Sequence, residues 1–209
     1  MTADLLPTAS PTRHFAIILA AGASSRMGRC KASLPWGNQT LLGYQAAQWL
    51  AAGVTPIVVL APHNADRQFD CPAGTVAVVN SDPSRGKTQS LRIGLQAIPA
   101  AAEAIAIAAV DQPRTTEIYQ ILLQRHQQHP SLITAPTYGD RLGHPLLISS
   151  RLRPELENLR EESQGLRQLI QRYYTTIDKV PFFTPLVLSD LNTPEAYQSQ
   201  RPATSPAHR

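Results

Sequence analysis

Four short, unbroken apolar runs, Phe15 to Leu19, Thr55 to Ala61, Thr75 to Asn80 and Ala104 to Val110, limit what this chain can become. A strand with one wet face alternates apolar and polar residues, whereas a run without alternation reads as a parallel strand covered on both faces. Between the runs the apolar residues follow helical spacing. Thr40 to Ala52, with Leu41, Leu42, Tyr44, Ala47, Trp49 and Leu50, reads as a helix ended by Gly53, and Thr88 to Ile98 and Thr115 to His129 fit two more. Leu132 to Pro136 is again apolar. Tyr138 to Ile148, broken by Gly139, Asp140 and Gly143, fits a hairpin or a crossing strand. Ser163 to Tyr174 reads as the last substantial helix, and Ile177 to Leu188 has room for two short strands. Strand-helix alternation predicts a doubly wound, mostly parallel, three-layer α/β/α domain of Rossmann-like kind over residues 15–198. Loose tails are expected at 1–14 and 199–209, with no internal repeat or second domain.

Composition removes several function classes. The 209 residues suffice for a sizeable core, and 43% hydrophobic against 16% charged residues excludes a disordered chain. The net charge of +4 comes without a dense basic run, which suits a small anionic ligand better than a nucleic-acid track. Cys30 and Cys71 have neither metal-ligand spacing nor disulfide density, so a reducing compartment is expected. The first fourteen residues lack the basic start and apolar run of a signal peptide. The longest apolar stretch, Phe15 to Ala23, falls well short of the roughly 18 residues of a membrane helix. A soluble, cytoplasmic protein is the expectation.

The first apolar run empties into LAAGASSRMGRCK, Leu19 to Lys31. Ala20, Ala21, Gly22 and Ala23 let backbone and ligand approach closely, and Ser24 and Ser25 add hydroxyl donors beside turn amides that can cradle phosphate. Arg26 brings a planar fork and Lys31 a compact point charge, the two usual grips on phosphate. A triphosphate tail is the ligand this loop suits. The order LAAG-x-S-x-R-M-G-x-x-K resembles the signature loop of the nucleotidyltransferases of molybdenum cofactor synthesis, the molybdopterin cytidylyl- and guanylyltransferases, within the wider nucleotide-diphospho-sugar transferase group. The resemblance implies that Leu19, Ala20, Ala21, Gly22, Ser24 and Ser25 bind the nucleotide, with Arg26 and Lys31 neutralising its phosphates.

Further segments follow in the same family order. Asn80 to Ser90 reads NSDPSRGKTQS; Gly86-Lys87-Thr88 is nearly a P-loop, but Ser81 stands where the first glycine belongs. By the resemblance Asn80 lies near base or ribose, and Gly86 and Ser90 close over the nucleotide. An ordinary strand-helix connection with Ser90 inside the helix is the alternative. Asp111-Gln112-Pro113 places a carboxylate at the tip of a buried strand, suited to magnesium shared with phosphates or, alternatively, to capping the next helix. Near the end, Asn192 before Thr193-Pro194-Glu195 resembles the position completing the metal shell, with Asp190 as the other candidate. Thr193 and Pro194 also make a sound helix start. Gly143-His144-Pro145 and Gly165-Leu166-Arg167 resemble elements that face the acceptor, which implies substrate contacts from Gly143, His144, Gly165 and Arg167. His144 could equally be structural. Cys30 reads as a packed loop residue.

The implied reaction moves a nucleoside monophosphate from CTP to the terminal phosphate of molybdenum-molybdopterin, with Mg2+ on Asp111 and Asn192 and release of pyrophosphate. Ala21 in LAAG favours CTP, while Asn192 is familiar among guanylyl members. A sugar or alditol phosphate is another possible acceptor, and a molybdoenzyme or its chaperone the implied receiver of the product. Two readings of other classes stand beside it: a P-loop hydrolase using Lys87, Thr88 and Asp111, and a nucleotide-binding module without catalysis.

Overall fold

The computed structural model describes residues 13–24 and 27–202. Strand β1 (His14–Leu19) leads through the small hairpin of β2 (Pro35–Trp36) and β3 (Gln39–Thr40) into helix α1 (Leu41–Ala51), strand β4 (Thr55–Leu60) and strand β5 (Val76–Val79). Helix α2 (Lys87–Gln96), strand β6 (Ala104–Ala109) and helix α3 (Thr116–Gln128) follow. The second half holds β7 (Ile133–Tyr138), β8 (Arg141–Leu142), β9 (Leu146–Ser149), α4 (Arg153–Glu157), α5 (Leu166–Tyr173), β10 (Asp178–Pro181) and α6 (Pro194–Gln200).

The main sheet is ordered β10-β7-β9-β6-β1-β4-β5, with β8 hydrogen-bonded to β7. Its pairs are parallel except around β9, which runs antiparallel between β6 and β7, and in the β7-β8 hairpin. The chain moves outward from β1 to β4 and β5, then crosses back to place β6 on the other side of β1. That reversal opens a crevice beyond the carboxyl ends of β1 and β6, the place where open α/β sheets take ligands.

Alternation along the central strands builds two cores. Phe15, Ile17, Ile57, Val59, Ile105 and Ile107 face Leu91 and Leu95 of α2, Leu156 of α4 and Leu169 of α5. Ala16, Ile18, Val58, Ala106 and Ala108 face α1 and α3. The small side chains of this second face leave room for Trp49 of α1 to stack on Tyr119 of α3, centroids 3.5 Å apart and planes at 5°. A layer of helices on each face gives the three-layer α/β/α arrangement that strand-helix alternation predicts.

Several local expectations need correction. The third apolar run forms edge strand β5, with Val76 40% and Val79 47% exposed, so it is not covered on both faces. Segment 138–148 is both hairpin and crossing strand, since β8 folds back on β7 before β9 enters the sheet. Segment 177–188 holds one strand, β10, because Pro185 supplies no donor and Thr184 caps a turn of 3-10 helix through the Leu186 amide instead. Helix α5 starts at Leu166 rather than Ser163, since Gln164 and Gly165 take positive φ values of 66° and 52°. Its other boundary and those of α1, α2 and α3 fall within two residues of the sequence reading, in which α4 has no counterpart.

Candidate active site

Two strand tips set the site. Leu19 and Ala109 are register partners of β1 and β6, and the Val110 amide donates to the Leu19 carbonyl at 3.0 Å. The loop after β1 and the carboxylate of Asp111 therefore emerge side by side. Lys31 returns into this space on a short turn, its amide donating to Ser24 Oγ at 3.2 Å. Its Nζ donates to Asp111 Oδ2 at 2.6 Å and to Asn192 Oδ1 at 2.8 Å. The Lys31 and Asp111 side chains are 12% and 18% exposed, so little solvent screens the pair.

Buried polar residues hold these segments in place. The Gln45 side chain donates to the Val110 carbonyl at 2.6 Å and fixes the end of β6 beside Asp111. Asn64, 2% exposed, accepts from the Ala61 amide and donates to the Ala20 carbonyl at 2.9 Å, latching the first loop to the end of β4; it also reaches Cys30 Sγ at 3.5 Å. Arg114, also 2% exposed, donates to the carbonyls of Pro113, His144, Val187 and Ser189. Burial pulls its guanidinium down to about 10. The Leu191 amide donates to the Asp111 carbonyl at 2.8 Å, which brings Asn192 to the site. Gln112 Nε2 donates to Asp190 Oδ1 at 2.8 Å, so this carboxylate is engaged away from Lys31.

The result is a cleft of about 270 Å³. Leu19, Ala21, Gly22, Ser24 and Lys31 line it from β1 and the loop after it, Gly86, Lys87 and Ser90 from the loop into α2 and that helix, and Asp111 and Asn192 from the ends of two further segments. Ala20 is 3% exposed and contributes its carbonyl to Asn64 rather than a surface to the cleft. Asn80 is fully buried, donating to Ser90 Oγ and accepting from the Asp82 amide, so it braces the second loop and does not itself line the cleft. Ser25 and Arg26 lie outside the described residues.

Beside it lies a second cleft of about 400 Å³ that gathers Gly143, His144, Gly165 and Arg167 over aliphatic side chains. Gly143 is required where it stands, because a Cβ would lie 2.3 Å from the Val187 carbonyl. Burial lowers the pKa of His144, with Asp190 pulling the other way. Between the clefts Gly86 has φ 89° and ψ −176°, a conformation open essentially to glycine alone. Glu161 Oε2 accepts from the Thr88 amide at 2.9 Å. Burial alone would raise the Glu161 carboxyl, but the hydrogen bonds from Thr88 and the charge of Lys87 outweigh it and hold it below its usual range.

Asp111 and Asn192 converge as two hard oxygens on one cationic nitrogen. This donor set fits magnesium, which keeps several waters and takes one or two protein ligands beside phosphate oxygens. Lys31 Nζ is the stand-in cation. Among the described residues no group of three or more His, Cys, Asp and Glu side chains could form a closed protein cage for a metal.

Sequence reasoning missed Gln45, Asn64, Gln112 and Arg114. Gln45 left a trace, a polar residue at helical spacing between Leu42 and Trp49 on the buried face of α1. The others show their role only once the strand tips are assembled.

A cleft at the switch point of a three-layer sheet, with a lysine between a carboxylate and an amide oxygen, is the arrangement of a nucleotide-handling α/β domain. Residues 16–177 match the family of MobA-like NTP transferase domains, and the chain belongs to that family of nucleotidyltransferases. The nicotine blue oxidoreductase of Paenarthrobacter nicotinovorans is 29% identical over 193 residues, covering 86% of this chain and 92% of that protein. Rv0371c from Mycobacterium tuberculosis H37Rv superimposes with a TM-score of 0.79 at 25% identity, covering 91% and 97% of the two chains. A second structure of Rv0371c, in complex with manganese, gives 0.75 at 24%, covering 91% and 98%. A nucleotidyl transferase from Methanothermobacter thermautotroptrophicus gives 0.74 at 21%, covering 90% and 96%. The fold is therefore that of the nucleotide-diphospho-sugar transferases. Among the described residues no helix is long and apolar enough to cross a membrane.

Proposed function

We propose that this domain moves a cytidylyl group from CTP to the terminal phosphate of molybdenum-molybdopterin and releases pyrophosphate. An acceptor phosphate oxygen attacks the α-phosphorus, a new P–O–P linkage forms, and the bond to the β-phosphate breaks with its electron pair leaving on pyrophosphate. The acceptor oxygen is already ionised at neutral pH, so alignment and charge neutralisation supply the rate without a general base. Lys31 supplies positive charge in the nucleotide cleft, joined by Arg26 from the same loop. Leu19, Ala21, Gly22, Ser24, Ser25, Gly86 and Ser90 hold the nucleotide, and Gly143, His144, Gly165 and Arg167 the acceptor. Asp111 and Asn192 would hold Mg2+, which when bound neutralises phosphate charge; the manganese complex of Rv0371c supports a divalent ion in such a fold. Ala21 on the cleft wall supports CTP over GTP. The product would pass to a molybdoenzyme or its chaperone in the cytoplasm.

The observation that carries this reading is the convergence of Lys31, Asp111 and Asn192 in one cleft. A P-loop hydrolase is disfavoured because the Glu161 carboxylate caps the Thr88 amide where such a loop would cradle phosphate. The similarity to nicotine blue oxidoreductase favours one second reading, redox chemistry on a dye of that kind.

A thermal-shift panel of the four ribonucleoside triphosphates with Mg2+ or Mn2+, followed by pyrophosphate assay with molybdopterin, tests the proposal. CTP should stabilise most and pyrophosphate should appear. GTP ranking first would assign a guanylyltransferase, and turnover of an alditol phosphate a different acceptor. Release of inorganic phosphate would mean hydrolysis, CTP binding without release a module lacking catalysis, and bleaching of nicotine blue by an added two-electron donor, without pyrophosphate, an oxidoreductase.

A further inference from the structure

The loop after β1 is tied at its neck by one buried side chain that lines neither cleft, that of Asn64. Asn64 breaks the 3-10 segment Pro62–Asp70, where its backbone takes the non-helical φ −137° and ψ 22°. Its amide donates to the Ala61 carbonyl at 3.1 Å, and its Oδ1 accepts from the Ala61 amide at 2.8 Å. This reciprocal pair fixes the carboxamide and leaves both hydrogens of Nδ2 to give. One goes to the Ala20 carbonyl at 2.9 Å and the other to Cys30 Sγ at 3.5 Å.

Ala20 and Cys30 are the two ends of the loop, ten positions apart in the chain. Ala20 is the first residue after β1, with its own amide on the Val59 carbonyl at 2.9 Å. Cys30 directly precedes Lys31, and its carbonyl accepts from the Ser33 amide and Ser33 Oγ in the turn that carries Lys31. Between these ends stand Gly22 and Ser24 of the cleft lining. If position 64 only had to fill the interior beside β4, an aliphatic side chain of the same size would serve, because a buried amide is costly unless its polar atoms are used. Here the donors are spent on the loop. A loop whose ends are tied has fewer conformations to lose when a ligand orders it.

Resting on the nucleotidyltransferase reading of the first cleft, we propose that Asn64 is a positioning residue for the nucleotide. By tying Ala20 to Cys30 it preorganises the loop and the turn that presents Lys31, and so sets the affinity for the triphosphate and not the rate of transfer once the triphosphate is bound.

Calorimetry with the Mg2+ complexes of α,β-methylene-CTP and α,β-methylene-GTP, whose bridging carbon blocks transfer, and hydrogen exchange of the nucleotide-free protein test this. In Asn64→Leu, which keeps the volume and loses the bonds, the analogue that wild type binds tighter should bind about tenfold or more weakly. The Met27 and Lys31 amides should exchange faster. Asn64→Asp keeps an acceptor for the Ala61 amide and loses both donors to the loop, so it should show the same losses even if Asn64→Leu folds too poorly to measure. Cys30→Ala frees one end only and should weaken binding less. Added to Asn64→Asp it should cost nothing further, because the two residues act through one tie. In pyrophosphate assays the loss should fall on the nucleotide KM and not on kcat. A lower melting temperature with wild-type analogue affinity would confine Asn64 to the core, additive losses in the double variant would uncouple it from Cys30, and a fall in kcat at unchanged KM would give it to the chemistry; each overturns the proposal. Failure of wild type to bind either analogue would sink the transferase reading instead, whereas unchanged exchange at Met27 and Lys31 in Asn64→Asp would sink the tie whether or not nucleotide binds.

Discussion

The Lys31 ammonium lies 2.6 Å from a carboxylate oxygen of Asp111, although 80 positions separate the two residues in the chain. The contact joins the loop after the first strand to the tip of β6, and the 2.8 Å bond to Asn192 adds the C-terminal segment. A largely buried carboxylate needs a counter-ion, because an uncompensated charge there is costly. Any cation that enters between Asp111 and Asn192 competes with Lys31 for the same two oxygens. Lys31 thus engages both oxygens, and a cation that displaced it would free its ammonium to face phosphate.

That competition sets the expected behaviour of Lys31→Met. Without nucleotide, Mn2+ measured by electron paramagnetic resonance should bind about tenfold tighter than in wild type, since the resident ammonium is gone. Nucleotidyl transfer should nevertheless fall by about a hundredfold, the usual effect of removing one group that stabilises transition-state charge. Asp111→Ala should lose most turnover as well, and near-normal activity in both variants would remove this cleft from catalysis.

Gly86 separates the two clefts at φ 89° and ψ −176°, and a Cβ there would lie 2.5 Å from the Glu161 Cδ. Gly86→Ala should cost about 1–3 kcal/mol of stability, read as a lower urea midpoint at unchanged slope. The Glu161 side chain is flexible and can move, whereas the backbone strain stays. Adding Glu161→Ala should therefore recover little of the loss, and full recovery would show that the clash and not the backbone governs this turn.

The buried His126 and the half-buried His14 and His144 should make the fold sensitive to acid. Burial lowers His144 below 6.5, opposed by Asp190 and Asp111 and aided by the charges of Arg114 and Lys87. His126, hydrogen-bonded to Thr134 Oγ1 at 2.7 Å, and His14 shift the same way. As pH falls through 6.5 the unfolded chain takes up protons before the folded one, so stability drops across the window between 6.5 and the folded values. Above that window all three are neutral in both states and contribute nothing to the slope. Melting curves should shift down on acidification below pH 6.5, less so in His144→Asn, and a flat profile in wild type would contradict the burial argument.

The sequence was most legible where one local rule sufficed. Unbroken apolar runs marked the parallel strands, and the small-residue loop after Leu19 marked the first wall of the cleft because loop and strand are contiguous. Legibility ended where a residue's role depends on distant chain. Asn80 reads as lying near base or ribose, and no local pattern announces that its buried amide is engaged by Ser90 and the Asp82 backbone. The choice between Asp190 and Asn192 was open because both stand at the right place in the chain; Gln112 engages Asp190 and leaves Asn192 beside Lys31. Edge exposure of β5 likewise follows from sheet order, which no linear pattern shows.

Arg114 ties the two clefts together, and its removal should separate folding from site assembly. Its guanidinium reaches the Pro113 carbonyl beside Asp111, the His144 carbonyl at the second cleft, and the Val187 and Ser189 carbonyls that precede Asn192. Arg114→Leu takes a donor from each of those carbonyls, of which Val187 keeps the His144 amide, and should cost about 3 kcal/mol, relieved in part because the burial of a charge is also removed. The loosened 187–192 segment should speed hydrogen exchange at the Leu191 amide, which donates to the Asp111 carbonyl. Mn2+ affinity should fall with it, as Asn192 is no longer held beside Lys31. Arg114→Lys keeps the charge but not the planar fork, so it should recover some stability while leaving exchange at Leu191 fast. Unchanged exchange and unchanged Mn2+ binding in Arg114→Leu would mean that the segment holds itself, and that the buried guanidinium serves the core alone.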